Sequence, residues 1–111
     1  MPHCIIEHSA DIDGRTLVPL VHAGALASGL FSADGSDIKV RSLAYDSYLT
    51  GGKHAGFVHV QVRLLSGRTE AQKKTVTAAV LERLAAQGLP GVSITVEAAD
   101  MDRPSYAKRA G

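Results

Sequence analysis

Two kinds of apolar spacing take turns along the chain. HCIIEH, His3–His8, is short and isoleucine-rich, and it predicts a strand that begins almost at the first residue. DIKVRSLAYDSYL predicts a second strand, with Ile38, Val40 and Ala44 on one face and Lys39, Arg41, Leu43 and Tyr45 on the other. HAGFVHVQVRLL predicts a third, with Val58, Val60, Val62 and Leu64 on its apolar side and Phe57, His59, Gln61 and Arg63 opposite. VSITVEA predicts the last, alternating Val92, Ile94 and Val96 with Ser93, Thr95 and Glu97, and the tail DMDRPSYAKRAG reads as polar and irregular.

Between the first two strands, Leu17, Leu20, Val21 and Ala25 recur at helical spacing and predict a helix over residues 15–28. Asp11-Ile12-Asp13-Gly14 supplies a turn and an N-cap, and Gly29 is the expected stop. Pro19 is tolerable only near the helix start, where its missing N–H has no partner to lose. Thr69-Glu70-Ala71-Gln72 has the form of a capping box and opens a second helix carrying Val76, Val80 and Leu84. Glu70 and Lys74 form an i,i+4 pair on its solvent side, and Gly88 and Pro90 close it. The predicted order is β-α-β, β-α-β in two similar halves. The expected fold class is α+β: one domain over residues 1–111, a four-stranded sheet with two helices on one face. The other face mixes apolar and polar groups, which invites cover by subunit association.

Composition sharpens this picture. The chain is 45% apolar but holds only three Tyr, two Phe and no Trp, so its core must be aliphatic. A net charge of +1 gives no electrostatic reason to expect nucleic acid or an anionic membrane as partner. One cysteine, Cys4, rules out an internal disulfide and fits a reducing compartment. Neither a secretory signal nor a run of about 18 apolar residues is present, so a cytoplasmic protein is expected.

Pro2 raises the chemical question. Initiator methionine is commonly removed before so small a residue, and removal would leave a secondary amine at the start of an ordered strand. A free α-amine titrates near ~8. To act as a base at neutral pH its ammonium form must be disfavoured, by burial or by nearby cations. Lys39, Arg41 and Arg68 are available as such cations. Arg68 also precedes a capped helix N-terminus, where an anion is favoured and a guanidinium can grip a carboxylate bidentately. An amine base beside carboxylate-binding cations suits proton transfer within an acidic keto or enol compound. The residues alone favour the plainer reading, with Pro2 as a rigid start to an edge strand and Arg68 as a solvated residue before a helix. If Met1 stays attached, the Pro2 nitrogen is an amide without basicity.

His3, His8, His59, Cys4 and Glu7 match no zinc-ligand spacing, and alternation puts His3 and His8 on opposite faces of one strand. Cys4 reads as a buried small hydrophobe. The residues leave Glu7, Tyr45 and Tyr48 unassigned.

MPHCIIEHS, the later FVHVQVRLLSGRTEAQKK and the βαβ–βαβ order together resemble the tautomerase superfamily, with its MIF-like fold. Within it the chain is most similar to the 5-carboxymethyl-2-hydroxymuconate Δ-isomerase family. The motifs are Pro2, His3, Ile5 and Glu7, then Phe57, Val58 and His59, then Gly67 and Arg68, with Tyr106 and Lys108 in the tail. The resemblance implies a homotrimer with active sites near subunit boundaries, Pro2 as catalytic base, and no metal or organic cofactor. It implies a small acidic substrate, an unsaturated 2-hydroxy polycarboxylate from homoprotocatechuate-type aromatic catabolism, isomerised from dienol to conjugated keto acid. Arg68 matches an arginine expected to bind substrate carboxylate, and Arg41 and Asp46 also line up. Lys39 stands where an arginine is expected and supplies charge without a planar fork. Two alternatives remain at this point: a tautomerase for another acidic enol, such as a phenylpyruvate-like compound, or a non-enzymatic binding module, since the same element order describes the ferredoxin-like fold.

Overall fold

Strict alternation along each strand decides which side chains enter the core, and the elements follow from it. The computed structural model describes residues 1–110. In order they form β1 (His3–Ser9), α1 (Gly14–Ala27), β2 (Lys39–Tyr45), β3 (Phe57–Leu65), α2 (Glu70–Ala85) and β4 (Ser93–Met101), then a 3₁₀ turn at Arg103–Ser105. The sheet order is β2-β1-β3-β4. β1 runs parallel to β2 and β3 parallel to β4, and the two βαβ halves meet along the antiparallel β1–β3 pair.

The core lies between this sheet and the helices. Cys4 and Ile6 from β1 and Val58, Val60, Val62 and Leu64 from β3 are buried against Leu17, Val21 and Ala25 of α1 and Val76, Val80 and Leu84 of α2. It is aliphatic, as composition requires. Each helix starts where its cap predicts. Asp13 accepts the Arg15 N–H at 2.9 Å, and Thr69 and Gln72 exchange both bonds of the capping box. Glu70 and Lys74 pair at 3.4 Å. The helices approach closely at Gly24, where a Cβ would stand 2.8 Å from the Val80 Cα.

The sequence reading is corrected at several points: β2 ends at Tyr45 and β3 begins only at Phe57, each inside a longer stretch predicted as strand. Pro19 sits inside α1, beyond its first turn, with its ring exposed while Leu17 and Val21 face the core. The outward position lets the helix keep its buried face and forgo one hydrogen bond. β4 continues past Ala98 to Met101, because pairing with Arg63–Leu65 and a 3.3 Å ion pair between Lys73 and Asp100 hold that polar stretch in the sheet. Through residue 110 the tail is irregular as expected apart from its 3₁₀ turn, but it is anchored. Arg103 donates from its backbone N–H to Ser66 Oγ (3.1 Å) and from Nε to the Ser66 carbonyl (2.9 Å), which turns the chain back toward β1. No helix among the described residues is long and apolar enough to cross a membrane.

Candidate active site

The N-terminal end of β1 lies in the middle of the sheet, flanked by the start of β2 and the end of β3. Pro2 is fully buried there, and its carbonyl accepts the Lys39 N–H at 3.0 Å. Met1 acylates the Pro2 nitrogen in this chain. The Met1 amine is itself half-buried, donating to the Asp37 carbonyl at 2.6 Å with the Asp37 carboxylate 3.7 Å away. Burial holds that amine below its ordinary pKa of 8.0; Lys39 and Lys108 push the same way, against the opposing pull of Asp37.

His3, next along the strand, projects from the face that the helices leave open. Its Nδ1 lies 3.1 Å from Arg41 Nη1, and its Nε2 lies 2.9 Å from the Tyr106 hydroxyl. The two rings meet edge-on at 6.2 Å. Burial, with Arg41, Lys39, the N-terminal amine and Arg63 all adding positive charge, lowers the His3 pKa from 6.5. An unprotonated imidazole results at neutral pH.

Lys39 and Arg41 thus stand beside the N-terminal strand, Lys39 paired directly with His3 in the β1–β2 register. Arg68 is held elsewhere within this chain. Its Nη2 donates to the Leu30 carbonyl at 2.9 Å, and its guanidinium carbon lies 5.6 Å from the Phe31 ring centre. These contacts tie the start of α2 to the segment after α1.

Sequence reasoning left three contributors to this end of the sheet without a role. Tyr106 and Lys108 belong to a tail that reads as irregular, so nothing in the pattern places them over β1. Asp37 carries no motif at all. Other polar residues of the open face pair away from this cluster. The Tyr45 hydroxyl donates to the Glu7 carboxylate, and His59 bonds Thr95 at 2.7 Å and Glu97 at 2.6 Å. Tyr48 stacks on His54 in the loop before β3. Cys4 is buried, and burial pushes its thiol up to about 11, which removes it as a nucleophile. A cleft of about 490 Å³ lies at the far end of β1, lined by His8, Asp11, Asp13, Arg15 and Ser42 among others, and contains none of Pro2, Lys39, Arg41 or Arg68. Among the described residues no three His, Cys, Asp or Glu side chains gather to hold a metal ion.

The sequence matches the model of the 5-carboxymethyl-2-hydroxymuconate isomerase family over residues 2–97. The chain belongs to this family. It is therefore an isomerase, and the non-enzymatic alternative falls away. No curated protein matches it in sequence. Solved structures agree on the fold. A 5-carboxymethyl-2-hydroxymuconate isomerase from Deinococcus radiodurans R1 is 20% identical, with 99% of this chain and 90% of that one covered at a TM-score of 0.72. A 5-carboxymethyl-2-hydroxymuconate delta-isomerase is 18% identical, with 100% and 89% covered at 0.71. A fused 4-OT described as an asymmetric trimer is 17% identical, with 96% and 91% covered at 0.76. The family match begins at Pro2 and ends before the tail, so Tyr106 and Lys108 lie outside it.

Proposed function

We propose that this isomerase converts an unsaturated 2-hydroxy polycarboxylate, a dienol of homoprotocatechuate-type aromatic catabolism, into its conjugated keto acid. The Pro2 nitrogen, freed by removal of Met1, is the base. It takes the hydroxyl proton, a dienolate forms, and the same nitrogen returns the proton to carbon further along the conjugated chain. No atom is gained or lost. Lys39, Arg41 and Arg68 hold the carboxylates, Lys39 as a point charge and the arginines through their planar N–H groups. Arg68 keeps N–H groups free beyond the one given to Leu30. The enzyme works as a homotrimer in the cytoplasm, and with sites near subunit boundaries the Arg68 serving a given Pro2 belongs to a neighbouring copy.

One observation carries this reading. Pro2 is fully buried at the head of β1, its carbonyl bonded to the Lys39 N–H, so an amine uncovered there by loss of Met1 would sit out of water beside Lys39 and Arg41 of β2. A base working near pH 7 needs that combination. The family match and the trimer among the similar folds support it.

The test begins with intact mass, to establish that Met1 is absent, followed by ultraviolet assay of 2-hydroxymuconate-type dienols. The processed protein is expected to ketonise them. Pro2→Ala leaves a primary amine, and turnover is expected to drop by roughly 10- to 100-fold with an unchanged circular dichroism spectrum. Full activity in Pro2→Ala, or none in the processed wild type, overturns the assignment.

A further inference from the structure

Hydrogen-bond directions around His3 have a consequence for the tail. A guanidinium only donates, so the 3.1 Å contact from Arg41 requires a lone pair on His3 Nδ1. In a neutral imidazole the proton is then on Nε2, which faces the Tyr106 hydroxyl at 2.9 Å. Tyr106 must accept this bond. Its own O–H hydrogen is left over, and no hydrogen bond among the described residues uses it. The phenol is half-buried and lies beside His3, the first residue of β1, and Lys108, two residues further on, acts on the N-terminal amine. The tail that carries both is fastened at Ser66 by Arg103.

We infer that the C-terminal segment completes the active site, with Arg41 and His3 aligning the Tyr106 hydroxyl as a hydrogen-bond donor to the dienolate oxygen that forms when Pro2 removes the hydroxyl proton. This rests on the base assigned above and gives a role to Tyr106, which the resemblance placed in a tail motif without one and which lies beyond the matched residues 2–97. Tyr106 donates a hydrogen bond without giving up its proton. The proton still travels from substrate oxygen to the Pro2 nitrogen to substrate carbon, so the balance of the reaction is unchanged. A fixed donor aimed at an oxygen that gains charge acts mainly on the transition state. His3 is a positioning residue, and so is Arg41 in this respect. The charged groups facing His3 are Arg41 and Lys39 from β2, Arg63 from β3 and the N-terminal amine, and all of them keep it neutral.

Tyr106→Phe keeps the ring and removes the donor. In the protein freed of Met1 its kcat is expected to fall about 100-fold or more, with KM changed by less than about threefold and the melting temperature unmoved. His3→Ala should match that loss, and the double variant should fall no further than either single one. His3→Gln, whose amide N–H takes the place of Nε2–H, should recover most of the rate. Nitrogen NMR of His3 should report the Nε2–H tautomer in the wild type at neutral pH. A Tyr106→Phe enzyme with near-normal kcat, or an Nδ1–H tautomer, overturns the inference. If Pro2→Ala is impaired while Tyr106→Phe is normal, the base stands and the tail's role falls. If the processed wild type turns over no dienol, both chemical roles fall, and the tautomer alone reports whether the Arg41–His3–Tyr106 alignment exists.

Discussion

His3 titrates among cations and partly out of water, so the folded chain resists its protonation more than the unfolded chain does. The sign follows from linkage. Below its ordinary pKa of 6.5 the unfolded state takes up the proton first, so stability is fully present above that value and is lost as the pH falls through the lower folded-state pKa. The melting temperature should therefore drop on acidification below pH 6.5, and His3→Gln should flatten that part of the profile. An equally steep profile in the variant would place the titrating group elsewhere. At this scale the sequence was partly legible. Strand alternation put Lys39 and Arg41 on the face opposite the core, and position put Pro2 at the start of β1. What it could not supply was partnership. Parity says which face a side chain takes but not which distant segment passes over it, so the meeting of His3 with Tyr106 across 103 residues had no local signal. Arg68 shows the same limit. Its place before a capped helix was readable, but its bond to Leu30 depends on where α1 ends in space.

The helices were the most legible elements, because their ends carry their own chemistry. Thr69 and Gln72 make the reciprocal bonds that the capping box specifies, and Asp13 caps α1. Their mutual packing was not legible. Gly24 sits mid-helix, where glycine is unfavourable by about 1 kcal/mol relative to alanine, and only the approach of α2 explains it. A Cβ there would stand 2.8 Å from the Val80 Cα and 3.0 Å from the Ala79 carbonyl oxygen, both backbone atoms that cannot swing aside. Gly24→Ala should therefore destabilise the fold by about 1–3 kcal/mol despite its better helix propensity. Urea denaturation measures this directly, and a stabilised variant would mean that the helices can separate freely. Strand ends were less legible than helix ends. The stretch Ala99–Met101 has no alternation of its own and is a strand because β3 and Lys73 hold it.

Over the whole molecule, both helices cover one side of the sheet and the other side is left to Ile5, Leu43, Tyr45 and Phe57 among charged neighbours. Leu43 is 56% exposed in the single chain, on β2 at the sheet's edge. An exposed apolar side chain on an uncovered edge strand is a site for association, both through buried area and through unpaired backbone groups. In the proposed trimer this face would be covered and subunit boundaries would lie near the N-terminal strands. Leu43→Glu tests the connection. The side chain contributes little to the isolated fold, so circular dichroism should be unchanged. Burying a carboxylate without a partner at an interface is costly, so the sedimenting mass should shift from trimer toward monomer. Turnover should fall with it, because the cations of a neighbouring copy leave the site. A variant that sediments as the wild type does would assign association to another face, whereas a monomer of full activity would mean that one chain holds every group the reaction needs.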